Sequence, residues 1–197
     1  MIEFLGTQMQ LISNALESIK EETLICMVEQ TACTLASSHR VIVTGLGKNV
    51  PICEKFVGTM VSMGLDTTFM NTDSAVHGDM GCIRDGDMVI FLSKSGETEE
   101  SIRLAKELLR QDRQISSWLI TFRDRSTLQG LIQNCLVMDL QHEGDQWNIM
   151  PVNSSTIDLI VLQSLAILTA KRLGISIEQF RRNHPGGAIG LQLRNDV

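Results

Sequence analysis

The chain has 197 residues, 43% of them apolar and 20% charged, a composition that suits one globular domain and excludes a disordered segment. Its formal net charge is −6, so it offers no basic field for nucleic acid or an anionic lipid surface. Any phosphate it binds must be held locally, by backbone N–H groups and hydroxyls.

Five cysteines (Cys26, Cys33, Cys53, Cys82 and Cys135) form an odd, scattered set without a C-x-x-C pair, most of them in apolar runs. They read as buried free thiols of a reducing cytosol. The N-terminus, Met1-Ile2-Glu3-Phe4, lacks a basic segment followed by an apolar one, and no stretch approaches the roughly 20 apolar residues of a membrane span. The expectation is a cytoplasmic protein with neither nucleic acid nor membrane as partner.

Leu11, Ala15, Ile19, Leu24, Met27, Ala32 and Leu35 recur at nearly helical spacing and predict one or two amphipathic helices before residue 38, available for packing or oligomer contacts. An alternation follows. Val41–Thr44 reads as strand, Asn49–Met63 as helix, Thr67–Met70 and Met88–Leu92 as strands, Thr98–Gln111 as helix, and Trp118–Thr121 and Leu136–Leu140 as strands. Short apolar strands alternating with helices predict an α/β fold with a parallel sheet covered on both faces. A long helix over Ser154–Leu173 closes the core, and a short one spans Ile177–Arg182.

Ligands of open parallel sheets bind beyond the carboxyl ends of the strands. Four polar loops lie there: Gly45-Leu46-Gly47-Lys48, Asn71 to Asp79, Ser93 to Thr98, and Gln141 to Ser155. The third joins an apolar strand to a helix through Ser93-Lys94-Ser95-Gly96-Glu97-Thr98, a phosphate cradle by composition. N–H groups at a helix start carry partial positive charge, hydroxyls add neutral donors, and Gly96 lets the backbone approach an anion. Glu97 repels a phosphate, so proton transfer is the natural role for it. A simple helix cap would use the same hydroxyls.

Gly45-Leu46-Gly47-Lys48 lacks the third glycine of a dinucleotide fingerprint, which leaves Lys48 to neutralise a phosphate or polarise an oxygen, or to sit solvated on the surface. His77 follows Asp73 and precedes Asp79, but no second histidine is near enough to complete a metal set. A hydrogen bond from His77 to a ligand hydroxyl suits it better. Glu143 opens a loop that ends in the hydroxyl cluster Ser154-Ser155-Thr156 at the start of the long helix, a place for chemistry or for a turn and cap. His184-Pro185-Gly186-Gly187 fixes a sharp turn that exposes one imidazole near the C-terminus.

Taken together these loops, in this order, resemble the sugar isomerase (SIS) domain family, and within it the arabinose 5-phosphate isomerases. The resemblance runs from about residue 30 to the C-terminus. It implies a three-layer αβα sandwich with a five-stranded parallel sheet, a homotetramer with sites shared between subunits, and interconversion of D-arabinose 5-phosphate and D-ribulose 5-phosphate, with no cofactor and no metal. Lys48, Glu97, Glu143 and His184 match the catalytic positions. Gly47, His77, Ser93, Ser95, Gly96, Thr98, Ser154 and Ser155 match substrate-binding segments, the hydroxyl loop of Ser93, Ser95 and Thr98 holding the phosphate.

Three departures stand out. Most bacterial members continue into a pair of cystathionine-β-synthase-type repeats, whereas this sequence stops at Val197, so the expectation is a single SIS domain over 1–197 without that module. Gly-Glu-Ala-Ala-His of the family reads Asp73-Ser74-Ala75-Val76-His77, and Asn71 stands where a histidine is often found. Lys94 replaces a common Asn and adds positive charge beside the cradle. The alternatives are an isomerase of another sugar phosphate and a SIS domain that senses a sugar phosphate without turnover.

Overall fold

Five short apolar segments form one all-parallel sheet: β1 (Val41–Gly45), β2 (Thr67–Asn71), β3 (Met88–Leu92), β4 (Ser116–Thr121) and β5 (Asn134–Val137). In the computed structural model, which describes residues 1–195, their order is β2-β1-β3-β4-β5. The predicted domain ends at Val197, and its last two residues lie outside those described.

Alternation along each strand divides the core in two. Val41, Val43, Ile90, Leu92, Trp118 and Ile120 face one helical layer, made of α1 (Ile2–Glu17), α2 (Glu21–Ala36), α3 (Val50–Ser62) and α6 (Asn153–Arg172). Ile42, Val89, Phe91 and Leu119 face the other side, where α5 (Glu99–Arg110) contributes Leu104 and Leu108 beside Met80 and Ile83. The αβα sandwich expected from the sequence is the observed architecture.

Three local expectations change. The last strand is Asn134–Val137, upstream of the expected Leu136–Leu140, because its ladder is set by pairing with β4 from Trp118↔Asn134 to Thr121↔Val137. Met138 is buried in the core but has left the strand. Residues 71–79, expected as loop, contain the single turn α4 (Thr72–Ala75), which the Asn71 side chain caps by accepting from Asp73 N at 3.0 Å. After the expected short helix, α7 (Ile177–Asn183), the chain turns at His184-Pro185-Gly186 and re-enters a helix, α8 (Gly187–Asn195).

The cysteines are free thiols, but Cys26, Cys33 and Cys82 are exposed and Cys135 is half-buried; of the five, Cys53 is buried. Being short, a cysteine in an apolar helix can occupy the outward face without breaking the inward stripe. Finally, α6 does reach the length and apolarity of a membrane span at 20 residues and a mean hydropathy of 1.2. Its packing against α1, α2 and α3 accounts for the buried part of that apolarity.

Candidate active site

The strand order places the topological switch between β1 and β3, which are neighbours, so the loops leaving their carboxyl ends open a crevice between them. From β1 comes a 3-10 turn, Gly47–Asn49, that carries Gly47 at φ +62° and an exposed Lys48 into α3. The Lys48 ammonium makes no ion pair among the described residues. Asn49 ties this turn to its neighbour by donating from its side chain to the Leu92 carbonyl at 3.2 Å.

From β3 comes the segment Ser93–Thr98. The buried Ser93 hydroxyl accepts from Gly96 N at 3.1 Å and lies 3.1 Å from the Thr98 hydroxyl, while Ser95 Oγ accepts from Glu97 N at 3.1 Å. These bonds curl the chain into a concave loop at the start of α5. Thr98 is the N-cap of that helix yet supplies no side-chain cap, so first-turn N–H groups of α5 are left for another acceptor. Gly96 is required twice: its φ is +66°, and a Cβ there would overlap the Ser126 side chain.

Ser126 belongs to the loop after β4, a fifth polar loop overlooked in the sequence although it leaves a strand at the same end. Its neighbour Thr127 donates its backbone N–H to Glu97 Oε1 at 2.8 Å. Glu97 is exposed, and its bonds to Thr127 hold its carboxyl below the ordinary glutamate value.

Glu143 is differently placed. It is buried, with 1% exposure, and its carboxylate collects four donors. Oε2 accepts from Val152 N at 3.0 Å and Ser154 N at 2.9 Å, Oε1 accepts from the Ser154 hydroxyl at 2.6 Å, and Lys94 Nζ forms an ion pair with Oε1. Burial pushes the Glu143 carboxyl up, but Lys94 and Ser154 outweigh it and leave it below the ordinary value. The cradle lysine therefore reaches toward the β5 side and links the loops after β3 and β5. Both partners line a cleft of about 990 Å³ that also contains Lys20, Arg123 and Asn148.

One turn along α6 from Ser154 lies Asp158, 2% exposed, whose Oδ1 has no hydrogen-bond partner. Burial, and then the charge of Glu143, raise its carboxyl well above the ordinary range. Asp158 in turn adds to the burial that pushes the Cys53 thiol up to about 12. Sequence patterning gave no sign of this carboxyl, because an acid among apolar helix residues reads as a solvent-facing position.

Gly47, Lys48, Ser93, Ser95, Gly96, Glu97 and Thr98 thus gather at the switch point, with Glu143 and Ser154 joined to them through Lys94. Ser155 turns away and donates its hydroxyl to the Pro151 carbonyl. His77, exposed beyond β2, caps its own turn by donating its backbone N–H to the Ser74 carbonyl at 2.9 Å.

His184 is not brought to this crevice within one chain. Its ring stacks on Phe180 with centroids 3.9 Å apart, and Nδ1 lies 2.9 Å from the Phe180 carbonyl. The adjacent Asn183 donates to the Ser62 carbonyl at 3.2 Å, at the far end of α3. A helix of 13 residues is about 20 Å long, so α3 separates His184 from Lys48 by that order of distance.

Comparison with known proteins agrees with this fold. Residues 34–168 match the family model described as SIS domain. The arabinose 5-phosphate isomerase KdsD of Pseudomonas aeruginosa is 34% identical over 81% of this chain and 48% of its own length. Among solved structures, Escherichia coli CFT073 c3406 in complex with arabinose 5-phosphate superposes with a TM-score of 0.82 at 25% identity, covering 92% of this chain and 94% of that one. A Bacteroides fragilis NCTC 9343 structure shares the fold with a TM-score of 0.86 at 24% identity, covering 94% of this chain and 98% of its own. The chain spans about half the length of the curated relatives it matches, 48% in the case of KdsD.

Proposed function

Because the chain belongs to the SIS domain family, we propose that it is an aldose–ketose isomerase that interconverts D-arabinose 5-phosphate and D-ribulose 5-phosphate through an enediol. The observation that carries this reading is the pairing, at one switch point, of a hydroxyl and N–H cradle with a carboxylate, Glu97, that phosphate binding alone does not need. A sensor without turnover gains nothing from a carboxylate beside an anion.

In this reading the cradle of Ser93, Ser95, Gly96 and Thr98 holds the C5 phosphate, and His77 and Gly47 face the sugar. Glu97 takes the proton from C2 of the open-chain aldose, exchanges it with solvent at its exposed carboxylate, and delivers a proton to C1. It suits this step because the group is exposed, whereas Glu143 is buried and already meets four donors. Glu143 moves the hydroxyl proton from O2 to O1, and Lys48 stabilises the negative charge on the enediolate oxygen.

His184 assists ring opening from a neighbouring subunit of a homotetramer. Two observations support this: its place at the far end of α3, and the exposed apolar side chains Phe4, Leu5 and Met9 on α1 and Ile160, Ile167 and Leu168 on α6. The ketose phosphate so formed suits synthesis of 3-deoxy-D-manno-octulosonate, the sugar of lipopolysaccharide and some capsules. The experiment is incubation of the purified protein with arabinose 5-phosphate, with hexulose and heptulose phosphates as controls. Formation of ribulose 5-phosphate is expected, and turnover of a control sugar alone would transfer the assignment to that substrate.

A further inference from the structure

Lys94 stands at a junction: its backbone is part of the phosphate cradle, while its ammonium is spent on Glu143. Its carbonyl accepts from Phe122 N at 3.1 Å and from the Thr121 hydroxyl at 3.1 Å, so the backbone is fixed against β4. The side chain is 43% exposed, and among the described residues its ammonium pairs with the buried Glu143 carboxylate. Glu143 already has three other donors, and a carboxylate so supplied stays ionised without the lysine.

We propose that Lys94 is a positioning residue with two stations, paired to Glu143 when the cradle is empty and to the ligand's phosphate when it is filled. The inference rests on the reading of Ser93–Thr98 as a phosphate site. A phosphate monoester carries up to two negative charges at neutral pH, against one on Glu143, and it arrives beside the lysine's own backbone. A flexible four-carbon stem lets a compact ammonium exchange partners without moving the fixed main chain. The exchange vacates the lysine's place on Glu143 Oε1 once phosphate is seated, with the Ser154 hydroxyl still donating there, so the hydroxyl-proton carrier gains an open acceptor position only in the loaded site. Free sugar without a phosphate would leave Glu143 occupied, which makes Lys94 a determinant of specificity for phosphorylated substrates.

The test is a double-mutant cycle with K94Q and E143Q, following the thermal unfolding midpoint with and without saturating inorganic phosphate, alongside phosphate affinity by calorimetry. The two substitutions are expected to be non-additive without phosphate and additive with it. K94Q is expected to weaken phosphate binding about tenfold or more, with K94R restoring most of it. Coupling that is unchanged by phosphate would overturn the proposal, since Lys94 would then be a fixed structural partner. Should E143Q fail to fold, the phosphate affinity of K94Q decides alone: no loss of affinity overturns the proposal. If arabinose 5-phosphate is not converted by the unaltered protein but phosphate still abolishes the coupling, the isomerase reading fails and the two-station lysine stands.

Discussion

Ser154 grips both oxygens of Glu143, its hydroxyl donating to Oε1 at 2.6 Å and its backbone N–H donating to Oε2 at 2.9 Å. The start of α6 therefore fixes the carboxylate in position and in charge. Removal of the hydroxyl in S154A is expected to cost about 1.5–3 kcal/mol, the range for a hydrogen bond to a charged group. Chemical denaturation measures it, and S154T should recover part of the loss.

Gly96 lies where its backbone requires left-handed torsion and where the loop after β4 leaves no space for a methyl group. G96A is expected to lose at least about 1–2 kcal/mol from the torsion alone and to abolish phosphate binding by lifting Ser126 from the cradle. Adding S126G, which removes both Oγ and Cβ, should relieve the overlap but not the torsion. Full recovery in the double variant, read by unfolding and by phosphate calorimetry, would contradict this account of the loop.

The pair Glu143 and Asp158 gives opposite pH dependences. Glu143 is held below its ordinary value in the fold, so its contribution is present above that value and is lost as pH falls through the folded one. Asp158 is raised from 3.8, so the fold keeps the proton that the unfolded chain releases; stability declines from near that pH upward until the folded group ionises. D158N should therefore gain on the unaltered protein with a slope of up to about 1.4 kcal/mol per pH unit above roughly pH 4. Unfolding curves from pH 4 to 8 measure it, and a constant difference across that range would exclude a neutral Asp158.

Thiol chemistry separates the cysteines by position. Cys26, Cys33 and Cys82 are exposed and should be alkylated in the native protein, whereas Cys53, buried and with its thiol pushed up to about 12, should react only on unfolding. Mass spectrometry after timed iodoacetamide treatment counts them.

The sheet was legible because residues such as Val41–Val43 and Met88–Leu92 are apolar on both faces, which only a doubly covered parallel strand explains. The end of β5 was not, since Met138 and Leu140 continue the apolar run after the ladder stops and pairing, not composition, decides the boundary. In the site, the cradle could be read from Ser93 to Thr98 as one contiguous segment. Lys94 reaching Glu143, Thr127 holding Glu97 and Asp158 beneath Ser154 all join residues distant in sequence or hide a charge on an apolar helix. The position of His184 depended on α7 docking at Ser62, a contact with no local signature.

The central claim, carbon-to-carbon proton transfer on a five-carbon sugar phosphate, is tested most directly by running the reaction in deuterium oxide with arabinose 5-phosphate and following it by proton NMR. Ribulose 5-phosphate carrying deuterium at C1 is the expected product, with the exchange lost in E97Q and the bound sugar retained. Binding without formation of the ketose, or a ketose free of deuterium, would contradict the claim.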